Sequence, residues 1–138
     1  MIEVNNLTTI RIDEEFLKKI ASKVLKNEKQ KTKDLSIALV GRKRIRELNK
    51  KYRKKNRATD VLSFSDEQIG LGEIVICIRE VKKNAKKFNC ALKEELARVL
   101  IHGILHLLGH EHEKSLTEAE KMEEKQNYYT KLCQKLIL

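Results

Sequence analysis

Residues 91–108 place the tightest limit on what this chain can fold into. From Val99 onward the segment is apolar on every face of a helix, interrupted only by His102 and His106. A helix without a polar face belongs in the middle of a fold, with other elements wrapped around it. Gly109 closes it, as a glycine just past a helix C-terminus does. The rest of the chain supplies the wrapping. Residues 2–11 read as one strand or two fragments of one. Asp13 reads as an N-cap, with Ile12 and Leu17 as a hydrophobic staple around it. Phe16, Leu17, Ile20, Ala21, Val24 and Leu25 recur at helical spacing, predicting a helix over 14–29. Residues 34–40 form a β-rich run that Gly41 ends. Ile45, Leu48 and Tyr52 then mark one stripe of a short helix whose other faces are basic. Residues 60–65 and 73–78 read as two more strands, the latter well buried. Val81, Ala85 and Phe88 give the apolar face of a third helix. Ser115 with Glu118 is a capping-box signature. It opens a last helix with Leu116, Ala119, Met122, Tyr129, Leu132 and Leu136 inward. This order predicts one α+β domain over residues 1–138, a mixed sheet of about four strands with helices packed on it. The direct link between the last two strands predicts that they are antiparallel.

All four histidines fall within His102-Gly-Ile-Leu-His106-Leu-Leu-Gly-His110-Glu-His112. His102 and His106 are four apart on a helix, so both imidazoles lie on one face and can reach one metal. Gly109 permits a sharp turn that can return His112 as a third ligand. The spacing is that of the metzincin pattern H-E-x-x-H-x-x-G-x-x-H, but Gly103 stands where that pattern has its catalytic glutamate. Ligand spacing is kept and the protease base is missing, which argues for a metal site and against a standard zinc protease. A lone histidine on an apolar helix is usually a satisfied core residue. Here three converge, and burying two imidazoles without a shared purpose costs roughly a few kcal/mol. Three protein ligands leave a fourth position for water, the catalytic rather than the structural arrangement. Three imidazoles suit zinc, nickel or copper. His110 and Glu111 read as exposed turn residues, with proton transfer or ligand orientation as the alternative.

Charge is concentrated rather than spread. Arg42, Lys43, Arg44, Arg46, Lys50, Lys51, Arg53, Lys54, Lys55 and Arg57 face a single acid, Glu47, and this stretch carries nearly the whole formal net charge of +10. Such a block repels itself unless an anion lies against it, and nucleic acid is the commonest such partner. The plainer alternative is a solvated helix face with a basic loop. Lys- and Glu-rich composition is also a thermophile habit. Cys77, Cys90 and Cys133 match neither a disulfide framework nor a zinc ribbon, which fits a reducing compartment. There is no apolar signal core at the N-terminus, and no apolar run reaches the ~18 residues of a membrane span. A soluble, cytoplasmic protein is expected.

Three blocks carry a family resemblance: HGILHLLGHEH, Arg57-Ala-Thr59-Asp60-Val61-Leu62-Ser63-Phe64, and Leu71-Gly72-Glu73-Ile74-Val75-Ile76-Cys77. Together they resemble the YbeY-type single-strand-specific endoribonucleases, the ribosomal RNA maturation factors of bacteria. The Tyr52-Arg53 pair stands where that family has its functional arginine. Ser65 replaces the usual proline after the Phe, and His110 and Glu111 replace the usual Tyr and Asp. None of these departures removes a ligand, though His110 adds a fourth imidazole beside the site. The resemblance implies one zinc ion per chain, held by His102, His106 and His112. It implies cleavage of single-stranded RNA, including maturation of the small-subunit rRNA 3′ end, and a part in ribosome quality control. It also implies contact with ribosomal proteins or ribosome-associated GTPases, RNA rather than DNA as substrate, and no membrane.

On this reading the strands at 60–65 and 73–78 wall a cleft, and the basic block lies on its approach. Arg42, Lys43, Arg44, Arg46, Lys50, Lys51, Lys54, Lys55 and Arg57 would hold RNA phosphates without reading sequence. Arg53, always charged and able to fork onto phosphate, would clamp the scissile group. Asp60 reads equally as a ligand-orienting carboxylate and as a strand-start residue bonding backbone. Thr59 and Ser63 read as strand residues, and Cys77 and Cys133 as core. Tyr128 and Tyr129 could stack on bases, but an amphipathic last helix accounts for Tyr129, and sparse aromatics argue against an extended stacking platform. No residue is singled out as general base. Two other readings stand beside the nuclease: a ribosome-assembly factor with a mainly structural metal, and a metal hydrolase of another substrate, even a peptide.

Overall fold

The computed structural model describes residues 1–30, 32–109 and 116–137. The elements are β1 (Ile2–Asn6), α1 (Glu14–Asn27), β2 (Leu35–Val40), α2 (Arg42–Arg53), β3 (Val61–Ser65), β4 (Gly72–Cys77), α3 (Ile78–Lys87), α4 (Leu92–Leu107), α5 (Leu116–Leu132) and α6 (Gln134–Ile137). The fold is α+β. Its four-stranded sheet has the order β1-β2-β4-β3. β1 and β4 flank β2 in parallel, and β3 runs antiparallel to β4 as the sequence predicts.

β2 is buried at all six positions, as expected of a strand covered on both faces. Alternation divides its side chains between two cores. Leu35, Ile37 and Leu39 join Ile74 and Ile76 of β4 under α1, α4 and α5. Ala38 and Val40 join Val75, Cys77 and Leu62 under α2, whose Ile45 is fully buried. α4 is the central element that its sequence predicts: Leu100, Ile101, Ile104 and Leu105 have no exposed surface. It ends where expected, with Gly109 at φ +93°, its N–H donating to the His106 carbonyl at 3.1 Å. Gly103 sits where α4 crosses β3 and β4. A Cβ there would lie 3.1 Å from both Ile74 Cγ2 and Ser63 Oγ, so glycine is what allows this close approach.

α5 is fastened to the end of α1. Lys125 Nζ donates to both carboxylate oxygens of Glu28 at 2.8 and 2.9 Å, and the Tyr129 hydroxyl donates to the same carboxylate. Burial, reinforced by the bond to Glu28 and its negative charge, pushes the Tyr129 phenol well above its ordinary range.

Several expectations need correction. The strand expected over 2–11 stops at Asn6, because Asn6 and Thr8 turn the chain with their own side chains. Asn6 Oδ1 accepts from the Thr8 N–H at 3.0 Å and Asn6 Nδ2 donates to the Ile10 carbonyl at 2.8 Å. Ile10 and Ile12 pack on the core from a loop instead. The strand expected over 73–78 yields to α3 at Ile78. Phe88 is 58% exposed at the C-cap of α3, and Tyr52 leaves the apolar stripe of α2 with 55% exposure. The last helix breaks at Cys133 before α6. Ser115 of the expected capping box and the side chain of Leu116 lie outside the described residues.

Two measurements follow from this packing. Gly103→Ala should destabilise the fold by about 1–3 kcal/mol through overpacking, read as a lower urea midpoint at unchanged slope. Tyr129→Phe should lose about 1.5–3 kcal/mol at neutral pH, the usual worth of a hydrogen bond to a charged group. Because the folded phenol holds its proton while the unfolded one releases it near its ordinary value of 10, this advantage should shrink as pH rises above 10. Urea unfolding of wild type and variant between pH 8 and about 11 should show the two converging.

Candidate active site

α2, β3 and α4 enclose an open cleft of about 1450 Å³. One face of α4 forms its floor, with Arg98, His102 and His106 at successive four-residue steps. Both imidazoles are partly buried, with ring centroids 5.0 Å apart and planes at 62°. His102 Nδ1 lies 2.9 Å from Gln126 Oε1 on α5. With the amide oxygen accepting, Nδ1 carries the proton and Nε2 is the nitrogen that could ligate a metal. Metal-ligating histidines are usually oriented in this way by a bond to their other ring nitrogen. The donor set therefore fits a divalent transition metal. The third expected ligand, His112, lies outside the described residues with His110 and Glu111. Among the described residues no group of three His, Cys, Asp or Glu side chains converges in a metal-holding arrangement. A Cβ at Gly103 would press on Ile74 and Ser63 at 3.1 Å, so the position of the protease glutamate is crowded by packing.

Arg53 ends α2 and reaches across to β3. Its Nη2 donates to the Ser63 carbonyl at 2.9 Å, and its guanidinium carbon lies 5.8 Å from the centre of the Phe64 ring. Ser63 also donates from Oγ to the Gly103 carbonyl at 3.2 Å. One strand residue thus touches both the arginine and the histidine helix. Lys54 at φ +59° turns the chain out of α2. Buried Asn49 then holds the following loop by donating to the Arg57 carbonyl at 2.9 Å.

The cleft sorts the basic block. Arg44, Arg53, Lys55 and Arg57 line it. Arg42 instead pairs with Glu80 at 2.9 Å, and Arg46 donates to Asn56 at 2.9 Å. Lys43, Lys50, Lys51 and Lys54 are exposed outside the lining. Asp60 lines the cleft, and its carboxylate accepts from Asn84 at 3.3 Å and from Thr59 at 3.4 Å.

Two residues of the site were missed by the sequence reading. Gln126 is one. Arg98 is the other: it forks onto Glu95 at 2.9 and 2.6 Å, and this bond, more than any nearby charge, raises its already high pKa. The four-residue step from Arg98 to His102 was visible, but not the buried carboxylate that fixes it. Among the described residues no helix is long and apolar enough to cross a membrane.

The family model of endoribonuclease YbeY matches residues 3–134. An endoribonuclease YbeY of Petrotoga mobilis is 43% identical over 133 residues, covering 93% of this chain and 92% of that one. One from a Sulfurihydrogenibium species is 43% identical over 117 residues, covering 80% and 77%. The solution structure of TM1509 from Thermotoga maritima superposes with a TM-score of 0.68 at 35% identity, covering 94% of this chain and 87% of that one. With the family model matching residues 3–134 and a relative 43% identical over 93% of the chain, the chain belongs to the endoribonuclease YbeY family.

Proposed function

We propose that this protein is a metal-dependent endoribonuclease that cuts single-stranded RNA in the cleft between α2 and α4. The observation that carries this reading is the meeting of Arg53, Arg44, Lys55 and Arg57 with His102 and His106 in one cavity. The basic side chains draw in the phosphate chain and hold it without regard to sequence. Arg53, steadied by the Ser63 carbonyl, offers its remaining N–H groups to the scissile phosphate and counters charge as it builds there. His102 and His106 ligate the metal, zinc in first place, and His112 completes the set. When bound, the metal supplies Lewis acidity at the reacting phosphate. Gln126 keeps His102 in the ligating tautomer. A peptide substrate fits less well, because the place of the protease base is filled by packing at Gly103.

The biological setting we propose is maturation of the small-subunit rRNA 3′ end and ribosome quality control in the cytoplasm. Ribosomal proteins or ribosome-associated GTPases would bring the protein to its substrate.

Metal content and RNA cleavage, measured on the same preparations, test the reading. Wild type should hold about one metal per chain, as three-ligand sites do, and cut single-stranded but not duplex RNA. His106→Ala should lose metal and cleavage together. Arg53→Ala should keep the metal and lose cleavage by about 10²–10³-fold, the usual effect of removing one transition-state donor. Equal activity in all three would mean contaminating nuclease, and would favour an assembly factor with a structural metal. Gln126→Leu should weaken metal affinity about 10–100-fold, as loss of a ligand-orienting partner does, while Gln126→Glu retains it. Competition with a chromophoric chelator reads both.

A further inference from the structure

Two aromatic rings line the cleft beside the basic side chains. Tyr52 and Phe64 meet edge to face, with centroids 5.3 Å apart and planes at 65°. Tyr52 is 55% exposed, although it lies on the same helical stripe as buried Ile45. Single exposed aromatics are ordinary on protein surfaces, and Phe88 and Tyr128 are equally exposed here. Neither of those lines the cleft. Tyr52 does, next in sequence to Arg53, and its neighbour Phe64 lies under the Arg53 guanidinium. An aromatic face beside a phosphate-binding cation is the pairing by which proteins hold single strands: the cation takes the backbone and the ring takes a base.

We propose that Tyr52, backed by Phe64, is a stacking subsite for one unpaired nucleobase of the RNA that the cleft receives. The inference rests on the RNA reading of the cleft and adds where a base goes. Phe64 packs on the core under α2 and braces the Tyr52 ring, so the stacking face stays in place when no RNA is bound. Lys51 Nζ lies 5.2 Å from the Tyr52 ring centre. Its chain is exposed, and on this proposal the ammonium gives up the ring to the base and turns to a phosphate. The subsite selects for single strands. Bases inside a helix are stacked on each other and present only their edges, whereas a splayed base offers its whole face. Every base has such a face, so the subsite gives preference for unpaired RNA without preference for sequence.

The test separates base from backbone. Fluorescence anisotropy would follow binding of a short single-stranded RNA and of an abasic ribose-phosphate strand of equal length, in chelator so that nothing is cut. Wild type should bind the base-bearing strand more tightly. Tyr52→Ala should weaken that binding about tenfold, within the range of one lost stacking contact, and leave the abasic strand almost unchanged. Tyr52→Phe, which keeps the ring, should match wild type, as should Tyr128→Ala. Equal binding of both strands by wild type, or equal losses on both strands in a folded Tyr52→Ala, would overturn the subsite and leave the RNA reading standing. Binding of neither strand by wild type would bring down the RNA reading, and the subsite with it.

Discussion

The close packing of α4 on the β3–β4 pair determines where the chemistry-bearing groups can lie. Gly103 brings the helix backbone down onto Ile74 and Ser63, and the Ser63 hydroxyl closes the contact by donating to the Gly103 carbonyl. The same Ser63 offers its own carbonyl to Arg53. The separation between the arginine and the two imidazoles is thereby a property of a helix, a strand and one shared residue. Sites built on such elements hold their geometry better than sites carried on loops. The absent protease glutamate belongs to the same account. A side chain at that position would press on Ile74 and on the Ser63 hydroxyl that links the two halves of the cleft.

The second constraint comes from α5. Glu28 ends α1 with a largely buried carboxylate that receives Lys125 and Tyr129 from α5. Removing either partner would leave a desolvated charge less well satisfied, so the contact fixes the position of α5 more firmly than an exposed ion pair would. Gln126 follows Lys125 in sequence and is delivered to His102 by that anchor. A polar network on one side of the molecule thus reaches an imidazole in the cleft. Glu95 does comparable work for Arg98 within α4, holding the guanidinium in a charge-neutral pair.

The parts of the fold legible in the sequence are those whose signal is local. The apolar run of β2 and the all-round apolar face of α4 each admit one physical placement, and the four-residue step of His102 and His106 means the same on any helix. Ile10 and Ile12 misled because their apolar character suits both a strand and a loop lying on the core. What decided between them was Asn6 and Thr8 bonding to nearby backbone. Phe88 sits at helical spacing but one step beyond the helix, where its side chain no longer faces the core. Gln126 was silent because its partner, His102, comes from another helix through tertiary contact. The basic block was legible as charge, but not as two populations, since Glu80 and Asn56 lie outside any helical register with Arg42 and Arg46.

That division changes how the electrostatics of the cleft should be understood. The net charge of the chain suggests a uniformly positive surface, yet Asp60, Asp66 and Glu73 also line the cavity. The cations Arg44, Arg53, Lys55 and Arg57 come from α2 and the loop after it. The carboxylates flank β3 or lie on β4, and Glu73 is held in place by the Ser36 hydroxyl at 3.0 Å. An anionic strand entering the cleft is drawn to one wall and repelled by the other. Its phosphates would be turned toward the cations of α2 and the loop after it, and away from the carboxylates. A channel of one sign would attract a polyanion more strongly, but it would leave the strand free to roll. Opposed walls would give up some attraction and gain a defined orientation over the histidine floor, which a site that depends on orientation needs more.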